Sequence, residues 1–353
     1  MNTSYKPSML WMLLSLVIGV SCTKNVSLTR LAPAEISIPS HVQRLLIVDR
    51  TEPESQGFAI IEGILTGEAP FEVKNAIETT LATIQQELNT SPRYEVIRAR
   101  ERLKGGFFSQ TFPQPLMWSQ IESLCASYDA DAVLALEKFS SDFIVTDKKA
   151  LIKKTVGSGK EAKVIEVDGI YAEGVASVQV GFRFYDPVNR NIADQIDFNK
   201  TNLWSAEAET RTQALALMID KVRATQVVGQ MAGASYARRV APMYLTVSRS
   251  FFPKSKTNPA LGHGARLAEV NQWEQAIDTW KNGLDAPTDN KTAGRLAYNI
   301  AIGYEVLGNL ALAQEWAGKA YTSYGFKKGR SYAGNLTQQI MADELVRRQL
   351  AVE

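Results

Sequence analysis

Two stretches between residues 257 and 327 constrain the fold more tightly than any other part of this chain, because small and large side chains recur in them at matching intervals. The first, LGHGARLAEVNQWEQAIDTWKNGLD, places Gly264, Leu267, Asn271, Trp273, Ala276, Trp280 and Gly283. The second, LAYNIAIGYEVLGNLALAQEWAGKAY, places Ala301, Tyr304, Gly308, Leu310, Ala313, Ala317 and Ala320 at the corresponding positions. Ala276 and Ala313 stand 37 residues apart. Steps of three and four residues put such positions on one helix face. Helices that present Gly and Ala come close together, and Trp, Tyr and Leu fill the gaps between neighbours. Gly308 marks a turn, and Asn271 stands at the matching turn, where it tolerates the left-handed conformation.

The spacing resembles the tetratricopeptide repeat (TPR), whose unit is about 34 residues. The resemblance implies two antiparallel helix pairs and a surface that receives an extended peptide. Trp273, Trp280 and Trp316 read first as core packing. A stack of this kind needs about three units for stability. The segment Ser331 to Leu350, with Leu336, Ile340, Leu345 and Leu350 in an incomplete apolar stripe, is the expected cap.

Upstream the pattern is different. An apolar run, Leu45 to Val48, reads as a buried strand. Phe71, Val73, Ile77, Leu81, Ile84 and Leu88 describe an amphipathic helix. RYEVIRARERL reads as a second strand, Met117 to Tyr128 as a helix and ADAVLALEKFSSDF as a third strand. This order favours a sheet with helices packed on it. KVIEVDGIYAEGVASVQVGFRFYD and NIADQIDFNKTNLW, joined by a turn at Asp186 to Arg190, read as an antiparallel meander. Residues 205–238 are expected to form one long helix with Ser205 as its N-cap, and MYLTVSRSFF to close the domain as a last strand. The expected fold class is therefore α+β, an α/β-like sheet with packed helices and a meander, followed by an all-α region.

The N-terminus bears on location. Met9 to Val20 form an apolar core behind a short segment carrying Lys6, and Gly19, Val20 and Ser21 precede Cys22. Twelve apolar residues make about 18 Å of helix, short of the roughly 30 Å of a bilayer core. Small residues followed by cysteine resemble the bacterial lipoprotein box, with Gly19 where leucine is usual, as in the looser boxes of Bacteroidota lipoproteins. The resemblance implies cleavage before Cys22 and acylation of its sulfur and amine. Acyl chains contribute about 0.8 kcal/mol per buried methylene, so lipid is the first expected partner. Thr23 after the cysteine favours the outer membrane by the sorting rules of that family. The expected organisation is a signal peptide at 1–21, a tether at 22–40, a β/α domain at 41–252, a linker at 253–260 and a helical domain at 261–353.

Little in the chain suggests chemistry. The net charge of +2 gives no reason to expect nucleic acid or a polyanionic substrate. There are two histidines, His41 and His263, neither with a second ligand at helical spacing, so no metal or cofactor is expected. Gly157-Ser158-Gly159-Lys160 has a phosphate-loop look, but Glu161 stands where a magnesium-binding hydroxyl belongs and no strand feeds the loop. Cys125 reads as a buried thiol. Glu35, Glu52 and Glu54 are scattered, and the loop VDRTEPES follows a strand end, where α/β sheets often bind ligands. Lys148, Lys149, Lys153, Lys154, Lys160 and Lys163 form a basic loop or hairpin that could meet anionic lipid heads or acidic polymer.

RLLIVDRT, RYEVIRARERL, DADAVLALEKF and VGFRFYDPVNRNIADQ, with APMYLTVSRSFF, resemble an envelope β/α domain. It is similar to the periplasmic domain of the curli-secretion channel lipoprotein and to lipoproteins that activate peptidoglycan synthases. With the lipobox and the TPR-like tail, nearly the whole mature chain resembles an uncharacterised Bacteroidota lipoprotein family, domain of unknown function 6340. That family carries no catalytic residue over. The functional expectation is a non-enzymatic outer-membrane lipoprotein facing the periplasm, binding an unidentified envelope protein or peptide in envelope assembly or maintenance. An oligomeric secretion-channel component and an envelope hydrolase are the alternatives. Against the channel stands the lysine-rich segment, which breaks the apolar alternation seen in residues 164–184.

Overall fold

The computed structural model describes residues 23–53, 70–107 and 112–351. Cys22 and the apolar run before it lie outside the described residues, as does Glu54. The chain divides into two compact units, one formed by Arg30–Leu245 with Ala342–Glu353, the other by Thr246–Met341 with the chain through Thr29.

The first unit is built on one mixed sheet. Its parallel part comprises β2 (Arg44–Asp49), β3 (Glu52–Pro53), β4 (Glu95–Arg98), β5 (Lys104–Phe107) and the start of β6 (Ala132–Val156). β2 lies between β4 and β6, and β5 joins β6 beyond the end of β2. On its other edge β6 pairs antiparallel with β7 (Lys163–Asp186), which pairs in turn with β8 (Asn191–Ala208).

Helices cover both faces at the parallel end. The periodic residues Val73, Ile77, Leu81, Ile84 and Leu88 of α1 (Pro70–Thr90) are all buried against one face. α4 (Lys221–Val240) packs beside α1, and its Tyr236 ring stacks on Phe182 of β7 with centroids 4.2 Å apart. α2 (Trp118–Tyr128) covers the other face through Ile121 and Cys125, which meet Leu46, Val48 and Tyr185. α1 and α4 approach closely because α4 presents glycine to α1: a Cβ on Gly233 would lie 2.6 Å from the backbone oxygen of Thr80.

The structure corrects the sequence reading at several points, each time through a long-range partner. Residues 24–32 are not a tether but a strand, β1 (Lys24–Ala32). It pairs with β9 (Met243–Phe251) in a two-stranded sheet, so MYLTVSRSFF does not close the main sheet. Residues 33–40 are also fixed: Ile36 N–H donates to Arg239 O at 3.0 Å, and the Arg93 guanidinium donates to Val42 O and Pro39 O at 2.6 and 2.7 Å. The side-chain amide of Gln349 takes both backbone groups of Ala34, at 2.9 and 3.0 Å.

Residues 205–238 are not one helix. Ser205 to Ala208 prolong β8 because they pair with Glu173 to Ile170, and that pairing outweighs the local capping signal. Thr210 then caps α3 (Arg211–Leu217), and Asp220 caps α4. RYEVIRARERL is a strand only over β4, since Arg102 turns away to bind Asp49. Of the loop and the hairpin that the sequence allowed, the lysine-rich segment is the hairpin, and it does not break the strand pattern. β6 and β7 pair continuously from Val133↔Tyr185 to Val156↔Lys163, and Gly157 to Ala162 form the turn.

The tight α1–α4 contact yields a test. Gly233→Ala is expected to lower stability by about 1–3 kcal/mol through overpacking. Urea unfolding should show a lower midpoint with an unchanged slope.

Candidate functional site

The second unit places the repeat residues in two helix hairpins. α5 (Pro259–Glu269) and α6 (Trp273–Asp285) form the first, α7 (Asn290–Val306) and α8 (Leu310–Thr322) the second, and α9 (Lys327–Leu350) follows. The turns are left-handed where sequence asked for it, with φ of 63° at Asn271 and 79° at Gly308. Gly264 lies against the Trp280 indole, leaving no room for a Cβ, and Trp280 Nε1 donates to Leu261 O at 3.2 Å. Trp273, Ala276, Ala301, Ala313 and Ala320 are buried, whereas Leu267, Tyr304 and Leu310 are half-buried and pack against the core from its edge. In the part of α9 that belongs to this unit, Tyr332 and Leu336 join the core, Gln339 is buried and Ile340 is half-buried; beyond Met341, in the first unit, Val346 and Gln349 are buried and Leu345 and Leu350 are half-buried.

A surface built to hold an extended chain is present in this unit, and the protein's own chain occupies it. The end of β9 and the residues after it lie on α7. Asn299, fully buried, accepts from Phe252 N–H and donates to Phe252 O, both at 2.8 Å. Arg249 donates to the two oxygens of buried Glu305 at 2.7 and 2.8 Å, and Tyr332 OH donates to the same carboxylate. The Phe252 ring sits edge-on to Tyr298 and Phe326 and beneath the Arg295 guanidinium, and the Phe251 ring meets Trp273. An amide that takes both hydrogen-bonding groups of one residue imitates a neighbouring strand, so this recognition is indifferent to side-chain identity. The flanking aromatics and Glu305 add selectivity for an aromatic and a cation.

A second constellation lies at the carboxyl ends of the parallel strands. The register of β6 against β7 slips between Leu136 and Lys138, so Glu137 has no cross-strand partner and turns into the protein. Its carboxylate accepts from Arg50 Nη1 at 2.7 Å and Tyr185 OH at 2.5 Å, with Arg183 Nη1 3.6 Å away. Burial pushes the Glu137 pKa up, opposed by the Tyr185 hydrogen bond and the two guanidinium charges. Burial and the Glu137 charge push Tyr185 up to about 12. Beside them Asp49 accepts from Thr51 and from Arg102 Nε at 2.7 Å, Lys138 pairs with Asp197, and the Phe112 ring lies over both Lys138 and Arg183. The Glu137 oxygens are engaged by neighbouring side chains, and a phenol held protonated near neutrality is no base. The cluster cross-links β2, β6 and β7.

The remaining sequence candidates are dispersed. Cys125 is a free buried thiol whose pKa burial and Asp131 raise to about 11. His41 Nε2 stands 3.1 Å from Asp186 Oδ1, and His263 is exposed on α5. Glu35 pairs with Arg239 at 3.3 Å. Gly157, Ser158 and Gly159 belong to the hairpin turn, which holds only a three-residue 3-10 turn at Gly159–Glu161 before β7 begins. Among the described residues no group of His, Cys, Asp and Glu could hold a metal ion, and no helix is long and apolar enough to cross a membrane. Sequence reasoning missed Glu137, Asn299 and Glu305. The available signal was polar residues set within apolar segments, Glu137 and Lys138 in LALEKF and Asn299 and Glu305 in YNIAIGYEV.

A mixed sheet with helices on both faces, joined to helix hairpins, defines the class. Within it, residues 42–252 match the family Domain of unknown function (DUF8603), and the chain belongs to that family. Residues 262–342 match Domain of unknown function (DUF6340). The 6340 resemblance thus belongs to the C-terminal region rather than to nearly the whole chain. No curated protein matches. Among solved structures, the chain is similar to a PelC dodecamer from Paraburkholderia phytofirmans, at 10% identity and a TM-score of 0.23, covering 61% of this chain and 98% of that one. It is also similar to a neuraminyllactose-binding hemagglutinin homolog from Helicobacter pylori, at 10% identity and a TM-score of 0.26, covering 58% and 86%.

Two measurements follow. Asn299→Ala leaves a buried N–H and a buried C=O of Phe252 without partners, at about 1–3 kcal/mol each. Thermal unfolding should show a large destabilisation, with Asn299→Asp between the variant and the wild type. Asp289, which caps α7, has its pKa lowered to about 2 by the Thr292 backbone N–H and the Thr257 and Thr292 hydroxyls. A depressed carboxylate stabilises the fold above its unfolded pKa and loses that contribution as pH falls through the folded value. Carboxyl NMR titration should find a midpoint near 2 for Asp289, and one near 4 would contradict the cap.

Proposed function

We propose that this protein is a non-enzymatic lipoprotein of the outer membrane, anchored through acylated Cys22 and facing the periplasm, whose two units hold protein partners during envelope assembly or maintenance. The anchor rests on the sequence Gly19-Val20-Ser21-Cys22 after the apolar run, and on its resemblance to Bacteroidota lipoboxes. The binding role is supported above all by the Asn299 clamp on Phe252. In a TPR-like array that clamp holds the backbone of an extended segment, with Glu305 and aromatic rings selecting its side chains. The internal segment supports this reading by precedent, and a partner would present an extended chain to the array's remaining exposed helix surfaces or compete for this one.

Metabolic labelling with a palmitate analogue should mark the wild-type chain and leave Cys22→Ala unmarked. Crosslinking in intact cells should attach a reproducible envelope partner to the wild type, with fewer adducts when the chain is released from the membrane. An unlabelled wild-type chain fractionating with cytosol would refute the anchor, and the absence of any reproducible adduct would refute the binding role.

A further inference from the structure

The outer part of the β6–β7 hairpin is exposed and lacks the neighbouring strand that supports its root. β8 stops pairing with β7 at Ile170↔Ala208, so from Leu151↔Asp168 outward the hairpin is a two-stranded ribbon. Such a ribbon is at best marginally stable in water by itself. Residues 153–159 and 161–166 are exposed, and the exposure involves both faces. Cross-strand pairs share a face. Leu151, Lys153, Thr155, Val164 and Glu166 lie on one face, and Lys154, Val156, Lys163 and Ile165 on the other. Leu151 and Val164 are 66% and 64% exposed, and Val156 and Ile165 are also among the exposed large apolar side chains.

The sequence from Lys148 to Lys163 holds six lysines and one acidic residue, Glu161. The return strand brings Glu166 and Asp168, and Lys154 pairs with Glu209 at 2.6 Å. Lys148 and Lys149 stand at the root, where β8 still pairs with β7, and Lys153 lies across from Glu166, but from Lys154 to Ile165 three lysines face one acid, so cations exceed anions toward the turn. A groove on a protein partner covers one face of a ribbon. Lysines along a strand edge also discourage a second copy from adding its own strand. A lipid interface can surround a narrow tip on both faces, taking the apolar side chains at the acyl boundary while lysines meet phosphates.

We propose that this hairpin tip inserts into the interface of an anionic lipid bilayer, a non-covalent membrane contact separate from Cys22. It goes beyond the lipid anchor, and its test uses a chain that cannot be acylated, so its failure leaves the anchor untouched. The full chain with Cys22→Ala receives one surface cysteine, Val156→Cys at the tip or Val188→Cys in the β7–β8 turn, the latter roughly 75 Å away along β7. Each is labelled with a polarity-sensitive fluorophore, to which buried Cys125 is inert. Vesicles of phosphatidylcholine and phosphatidylglycerol should shift emission to the blue at the tip and leave the turn label unchanged. The shift should shrink severalfold with Lys153→Gln and Lys163→Gln, with raised salt and on phosphatidylcholine alone. Circular dichroism of every variant checks the fold. No shift at the tip, an equal shift at both labels, or a tip shift indifferent to the lysine pair and to lipid charge would overturn the proposal.

Discussion

The continuous pairing of β6 with β7 organises the first unit. One 25-residue strand serves two kinds of sheet, parallel against β2 and β5 at its start and antiparallel against β7 along its length. Parallel pairing needs helices to bury both faces, and α1, α2 and α4 collect at that end. Antiparallel pairing tolerates water on a face, so the far end can run out as a ribbon. The slip at Glu137 falls where the two regimes meet. A bulge re-aims one side chain and bends the strand. Here it buries a carboxylate that must find cations, and Arg50 and Arg183 converge on it. A lone buried charge is costly, whereas a paired and hydrogen-bonded one ties strands together.

The second unit solves a different problem. Two helix hairpins and a following helix leave apolar surface open on α7, more than so short an array can leave to water. The chain covers it with its own extended segment, carrying Phe251 and Phe252 into the aromatic cluster and fixing the backbone through Asn299. The same device recurs in the first unit, where Gln349 holds both backbone groups of Ala34. In both cases an amide substitutes for a missing strand, which lets a helix accept an extended chain without a sheet.

Much of the local structure was legible in the residues. The spacing of Gly264, Trp280, Ala301 and Ala313 gave the helix hairpins and their close approach, and Asn271 was recognisable as a left-handed turn. β7 was readable from end to end, because alternation over many residues has one solution. The errors lie where a distant partner overrides a local signal. Ser205 looks like a helix cap but is held in β8 by Glu173. Residues 24–32 look like a tether because their partner, β9, lies more than 200 residues away.

The sequence alone determined the helix hairpins, most of the sheet strands and the division into a mixed sheet and a helical region, because periodicity is a local property. Only the tertiary structure decided that Glu137 is buried between two arginines, that the helical surface is already occupied by the end of β9 and the residues after it, and that the lysine-rich segment takes its hairpin form as part of one long strand pair. Each of these depends on which segments meet across long separations in the chain, and a pattern confined to neighbouring residues carries no record of that meeting.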